Sequence, residues 1–353
     1  MTAQPGLRIS QRAVDAAVDS GVVGDRLLRW AIRRLLRQRD ETLDSAIDAE
    51  TFVERLSDAP ITVEVDAANS QHYEVPPEFF VTMLGPALKY SCAWWEGVDD
   101  LAAAERAMLD LTCERAALED GQDILELGCG WGSLTLHMAA RYPNARIVAV
   151  SNSHQQRTFI LARATERGLT NVTVLTADVA QLGVETHTEV VGPSQFDRVV
   201  SVEMFEHVRN HCVLTDRIAT WLRNDGQLFV HVFVHRSRPY LFEVGSAGDW
   251  MARHFFTGGM MPSEDLLPMA VGSLRLDEHW RINGTHYART LAAWLDRLDE
   301  HRDMIISRFA DDLPRRRAKA QWRRWRVFTI ACEELFAANA GDRWFVAHYR
   351  FAK

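Results

Sequence analysis

A chain of 353 residues with 47% hydrophobic and 25% charged residues can bury a large core, and its composition excludes collagenous, disordered and membrane-spanning classes. The formal net charge of -8 offers no general positive field, so nucleic acid is not an expected partner and any contact with anionic lipid must be local. Five scattered cysteines without a C-x-x-C pair, an N-terminus without a signal-type apolar core, and no run of roughly 18 to 20 apolar residues lead us to expect a cytoplasmic protein with reduced thiols.

Residues 8 to 57 place apolar side chains three and four apart with almost no glycine or proline, which predicts helices. Arg26, Arg29, Arg33, Arg34, Arg37 and Arg39 form a basic run there, matched by RRRAKAQWRRWR from Arg315 to Arg326. Both read as solvated helix faces, with a partner or peripheral membrane contact as the alternative. An alternating segment, ITVEV, and the proline-containing QHYEVPPEFF lead to a helix from Leu101 to about Ala117.

From Gly121 short β-branched runs alternate with amphipathic helices, the pattern of a doubly wound, Rossmann-like α/β sheet. The strands expected are DILELG, RIVAVS, VTVLTAD, FDRVVSV and GQLFVHVFV, with HMAARY, QQRTFILARATERG and LTDRIATWLRN as helices between them. An aromatic, glycine-rich stretch to about Pro268, including DWMARHFFTGGMMPS, reads as an inserted substrate cap. Its Trp250, Phe255, Phe256, Met260 and Met261 suit either a hydrophobic lining or plain core packing. LRLDEHWRI and RWFVAHYRF predict an antiparallel edge hairpin on a mostly parallel sheet. The division expected is 1–118, an N-terminal helical and cofactor-covering segment; 119–234, the cofactor core; 235–330, the cap with a core strand and helices; and 331–353, a helix end and edge strand.

ELGCGWG, with Glu126, Gly128, Gly130 and Gly132, follows the first core strand and precedes a helix. Its glycines let a ligand approach the backbone, at the strand end where open α/β sheets bind nucleotides. Ser133 stands where a dinucleotide fingerprint needs its third glycine, which weakens that reading. Glu126 suits a cofactor carrying an ammonium and a sulfonium. Asn152, Ser153 and Gln156 after the second strand, and Asp178 after the third, could hold a nucleoside, although each could equally cap a helix. No metal site is expected: the thirteen histidines show no H-E-x-x-H, and His207 and His211, one turn apart, lack an evident third ligand.

QHYEVPPEFF, LKYSCAWW, ELGCGWGSLTLHMA, SNSHQQ, EMFEHVRN, LFVHVFVH and THYARTLAAWLDRL together resemble the cyclopropane-fatty-acid synthase class of S-adenosylmethionine-dependent methyltransferases over residues 70 to 353. The N-terminal helical region looks closer to the coclaurine N-methyltransferase branch. The resemblance implies a class I methyltransferase fold. It further implies that Tyr90, Ser91, Gly128, Gly130, Asn152, Gln156 and Asp178 line the S-adenosylmethionine pocket, with S-adenosylhomocysteine as product, and that Glu203, Glu206 and His207 lie at the reacting centre. In the coclaurine-type enzymes such an acidic and histidine set works on the substrate amine. The lipid-cyclopropanating branch instead uses bound bicarbonate as its base; mapped by motif, that anion site would be Cys92, Glu206, His231 and Tyr287.

Methyl transfer is an in-line displacement that chiefly needs alignment, and an amine must also present a free lone pair. Glu203 and His207 are the expected proton handlers, with Glu206 as partner. N-methylation of a small, hydrophobic, alkaloid-like amine is the expectation. Methylene addition to unsaturated acyl chains with bicarbonate is the alternative, and a non-catalytic S-adenosylmethionine-binding protein stands behind both. A homodimer is compatible with the sequence.

Overall fold

The computed structural model describes residues 11–43, 45–63, 75–242 and 250–353. The parts of ITVEV after Val63, of QHYEVPPEFF before Val75, and Asp249 of the expected cap lie outside the described residues.

Amphipathic periodicity produces three N-terminal helices, α1 (Gln11–Ser20), α2 (Asp25–Leu43) and α3 (Ala49–Arg55), followed by α4 (Pro77–Met83) and α5 (Leu101–Arg115). Pro76 and Pro77 stand at the start of α4, where a missing N–H does no harm, and Asp100 caps α5 by accepting from the Ala103 N–H at 2.8 Å. The parallel strands β1 (Asp123–Leu127), β2 (Arg146–Ser151), β3 (Val172–Thr176), β4 (Phe196–Val202) and β5 (Leu222–His235) then alternate with α6 (Ser133–Arg141), α7 (His154–Glu166) and α8 (His211–Trp221). Helices cover both faces of this sheet, so its strands are apolar almost without interruption: Ile124, Leu125, Ile147, Ala149, Val199 and Val200 are fully buried.

Helix α8 stops at Trp221, three residues before the expected LTDRIATWLRN ends, and β5 begins at Leu222, four residues before the expected Gly226. Leu222 is already paired with Phe196 in the sheet, a long-range contact that overrides local helical preference. Beyond β5 come a two-stranded ribbon, β6 (Tyr240–Leu241) with β7 (Met260–Met261), and two short helices, α9 (Trp250–His254) and α10 (Leu266–Met269). The chain then returns to the sheet as β8 (Arg275–Ile282), runs through α11 (Gly284–Glu300), α12 (Arg302–Phe309) and α13 (Arg315–Ala337), and ends in β9 (Trp344–Ala352).

The strand order is β3-β2-β1-β4-β5-β9-β8, with β9 antiparallel to both β5 and β8. The antiparallel edge is thus present, but its two strands are linked through three helices instead of a turn.

Charges fasten the N-terminal helices to α13. Arg29 bridges Glu333 and Glu334 at 2.7 Å each, Arg33 reaches Glu334 at 2.5 Å, and Arg324 and Arg326 pair with Asp19 and Asp25 at 2.7 Å. Arg29, Arg33, Arg324 and Arg326 are therefore spent on intramolecular ion pairs, whereas Arg26, Arg34, Arg37, Arg315, Arg316, Arg317 and Lys319 lie exposed, as expected of solvated helix faces. Among the described residues no helix is long and apolar enough to cross a membrane.

Candidate active site

Strand β1 lies between β2 and β4, so the chain leaves it in opposite directions on either side and a crevice opens at the strands' carboxyl ends. A cavity of about 170 Å³ fills that crevice. Tyr90, Ser91, Glu126, Gly128, Gly130, Asn152, Gln156 and Asp178 all line it. Ser153 stands back: its hydroxyl caps α7, accepting from the Gln156 N–H at 3.3 Å. Gly128 has φ +81°, and a Cβ there would lie 2.7 Å from the Met204 Cβ, so this turn admits only glycine.

Three buried polar atoms in residues lining the cavity, Thr112 Oγ1, Ser133 Oγ and Gln156 Nε2, have no hydrogen-bond partner within the protein. Such atoms are normally satisfied, so they suit a polar ligand such as a nucleoside and amino acid. Glu126 is buried and accepts from the Thr135 hydroxyl at 2.5 Å; burial pushes its carboxyl up to about 7, with that hydrogen bond opposing. Asp178 accepts from the Thr62 hydroxyl at 3.1 Å.

The loop carrying Tyr90 and Ser91 is held by a buried carboxylate. Glu105 of α5 accepts from the backbone N–H groups of Gly85, Ala87 and Lys89 at 3.0, 2.9 and 3.4 Å, and the Ala93 N–H donates to Thr290 at 3.1 Å. Lys89, itself buried, donates to the Ser91 hydroxyl.

A second, larger cavity of about 1140 Å³ adjoins the first, with an aromatic wall that includes Phe233, Tyr240, Phe242 and Trp294. Helices α1 and α2 supply part of its wall through Val14, Val18, Leu28 and Ile32. Trp250, Phe256 and Met261 of the expected cap line it, whereas Phe255 stacks on Phe328 at 4.3 Å and Met260 packs near Phe52. Tyr90, Glu203 and His207 border both cavities.

Glu203 follows β4 with φ +47°, a conformation that side-chain-bearing residues seldom adopt and that here turns its carboxylate into the junction. Its N–H donates to the His231 carbonyl at 2.8 Å. Three donors converge on the carboxylate: the Cys92 N–H at 3.0 Å, the His231 ring at 3.2 Å and the Tyr287 hydroxyl at 2.5 Å. Burial raises its pKa, opposed by Lys89, the Tyr287 hydroxyl, the Cys92 N–H and His207. His207 is driven down to about 4 by burial against the pull of Glu203, so it is a neutral imidazole at physiological pH.

Glu206 lies outside both cavities, with one oxygen accepting from the Phe233 N–H at 3.1 Å and the other without a partner. Burial and the neighbouring Glu203 push its carboxyl well above the usual carboxylate range. His211 is structural: its ring bonds the Phe205 carbonyl at 2.9 Å and stacks on Phe205.

Residues 62–345 match the family model described as mycolic acid cyclopropane synthetase. The chain belongs to this family. Its members share the class I S-adenosylmethionine-dependent methyltransferase fold, and this chain is a methyltransferase of that kind. It is similar to (S)-coclaurine N-methyltransferase of Thalictrum flavum subsp. glaucum, 37% identical over 298 residues that cover 83% of this chain and 80% of that one. It is also similar to the cyclopropane-fatty-acyl-phospholipid synthase of Escherichia coli (strain K12), 31% identical over 229 residues, or 64% of this chain and 55% of that one. A solved structure of coclaurine N-methyltransferase bound to N-methylheliamine and S-adenosylhomocysteine superposes with a TM-score of 0.89 at 33% identity, covering 96% of this chain and 99% of that one.

Within this cyclopropane synthetase family fold, sequence reasoning missed Thr62, Lys89, Thr112 and Ser133 in the cofactor cavity. Lys89 had a signal, since a basic residue beside Tyr90 and Ser91 inside an apolar run is exceptional. Thr112 is an ordinary helix residue in sequence and had none.

Proposed function

We propose that this chain N-methylates a hydrophobic, ring-bearing secondary or tertiary amine, using S-adenosylmethionine as methyl donor. The observation that carries the reading is the junction itself: an aromatic cavity meets the cofactor cavity at Glu203 and His207. The coclaurine N-methyltransferase likeness, over nearly the whole length of both chains, supports it.

S-adenosylmethionine supplies an electrophilic methyl on a sulfonium. Tyr90, Gly128, Gly130, Asn152, Gln156 and Asp178 are the residues we assign to holding it, with Thr112 and Ser133 added from their unpartnered hydroxyls. Glu203 is assigned as the group that holds the ammonium form of the acceptor and receives its proton. A carboxyl raised by burial is a better proton sink than His207, which burial keeps neutral down to about pH 4. His207 is then a neutral hydrogen-bonding partner that orients the amine.

The same geometry weighs against alkene chemistry. Cys92, His231 and Tyr287, three of the four residues of the expected bicarbonate site, already spend their donors on the Glu203 carboxylate. An external anion would have to enter beside a like charge with those donors taken. Purified protein is expected to release S-adenosylhomocysteine with benzylic secondary or tertiary amines. It is expected to release none with unsaturated phospholipid vesicles, whether or not bicarbonate is added. Bicarbonate-dependent turnover on vesicles with silence on amines would overturn the proposal.

Glu126 gives a second expectation. A ligand bearing an ammonium and a sulfonium favours its ionised form, so binding lowers a carboxyl that stands at about 7 in the ligand-free protein. Binding should release a proton and tighten as pH rises through about 6 to 8, by roughly tenfold for each unit of lowering. Calorimetry in buffers of different ionisation enthalpy reads that proton. A release that persists in Glu126→Gln would assign it to another group.

A further inference from the structure

Behind Glu203 the sheet holds a line of polar side chains that the methyl-transfer chemistry does not itself call for. The His231 ring lies 3.2 Å from a Glu203 oxygen, its other nitrogen is 2.8 Å from Nε2 of His348, and Nδ1 of His348 is 3.0 Å from a guanidinium nitrogen of Arg115. Both imidazoles are completely buried, on the neighbouring strands β5 and β9, where they face each other in register. Among the described residues Arg115 has no carboxylate within salt-bridge distance, and its guanidinium lies over the rings of Trp94 and Trp280.

Donor and acceptor chemistry fixes every proton in this line. A guanidinium can only donate, so Nδ1 of His348 must accept. Burial keeps both imidazoles neutral, so the single ring proton of His348 is on Nε2 and points at Nδ1 of His231. The ring proton of His231 is therefore on Nε2 and points at Glu203. All the dipoles run one way, from a fixed cation to the carboxylate.

We propose that Arg115 is a positioning residue which, through His348 and His231, orients the Glu203 carboxylate and holds it as an anion. The assignment rests on the N-methyltransferase reading for its purpose, but not for its geometry. It also says which way the proton does not go. Nε2 of His231 already carries a proton and the far end of the line is an arginine, so no proton taken up by Glu203 can leave along it. The proton must leave on the cavity side, where Glu203 borders both cavities.

Other charged or titratable groups face the same carboxylate: Lys89 and Cys92 from the loop before α5, Glu206 and His207 just after β4, Tyr287 from α11 and Cys332 from α13. Lys89 and His279 also act on the histidine pair. A test must therefore change the line alone.

The test is infrared titration of the Glu203 carboxyl, taken as the difference between each protein and its Glu203→Gln counterpart, for the wild type, Arg115→Met, Arg115→Lys and His348→Met. The expected result is a midpoint about one pH unit higher in both methionine variants and close to the wild type in Arg115→Lys, with the acid limb of kcat/KM moving with it. If Arg115→Met does not fold, His348→Met decides. An unmoved midpoint, or turnover lowered equally at every pH, would overturn the proposal. Failure of every amine to react would defeat the N-methyltransferase reading instead, while the infrared midpoints would still decide the line.

Discussion

Alanine at Glu203 is expected to lower kcat/KM for the amine acceptor by about 10² to 10⁴, the range over which a positioned proton acceptor contributes. The affinity for S-adenosylhomocysteine should change far less, because the other residues assigned to the cofactor stay in place. The change also leaves the Cys92 N–H, the Tyr287 hydroxyl and the His231 ring pointing into a vacated, anion-shaped space. Formate or bicarbonate should then partly restore amine turnover in Glu203→Ala while doing nothing for the wild type. Steady-state kinetics with and without added anion read both effects. Wild-type activity in the variant would remove Glu203 from the chemistry. A crippled variant that no small anion rescues would show instead that the slot depends on the tethered carboxylate.

Gly128→Ala should be the most damaging single-methyl change in the cofactor cavity. With φ +81° an alanine is strained, and its Cβ would lie 2.7 and 2.8 Å from Cβ and Cγ of Met204. Neither the new Cβ nor that of Met204 can swing aside, since both are fixed to backbone. Strain and overpacking together should cost about 2 to 4 kcal/mol of stability. Part of the loss should appear as displacement of Met204, next to Glu203, so binding of S-adenosylhomocysteine should weaken at least about tenfold. Gly130→Ala is the control: its φ is +52° and nothing lies within 4 Å of the added methyl, so only strain is introduced. Thermal denaturation and calorimetric binding compare the two, and equal behaviour would argue against the Met204 contact as the cause.

The acid–base assignment at the junction was half legible in the primary structure. EMFEH placed three ionisable residues after one strand, and that proximity was real, because β4 and the turn after it carry them together. Their different fates were not legible. Glu203 turns into the cavity, Glu206 is sealed against the Phe233 backbone, and His207 is desolvated to neutrality, distinctions that depend on packing around each side chain. The candidate bicarbonate set met the same limit. Cys92, His231 and Tyr287 were each identifiable by motif, but only their positions in space show that they surround Glu203.

Local physics determined the parallel core. Strands buried on both faces must be apolar throughout, helices between them must alternate apolar and polar faces, and a tight turn against a ligand must be glycine, so β1 to β4, α6, α7 and Gly128 could be placed from residue order alone. The tertiary structure decided whatever joins residues distant along the chain. It inserted β9 between β5 and β8, began β5 at Leu222 by pairing it with Phe196, and turned Arg29 and Arg33 of α2 and Arg324 and Arg326 of α13 onto carboxylates of the facing elements. It also threaded Arg115, His348 and His231 into one line to Glu203. Hydrogen bonds and ion pairs of this kind act over about 3 Å, and a residue order carries no distance between positions a hundred or more apart until the sheet has brought them together.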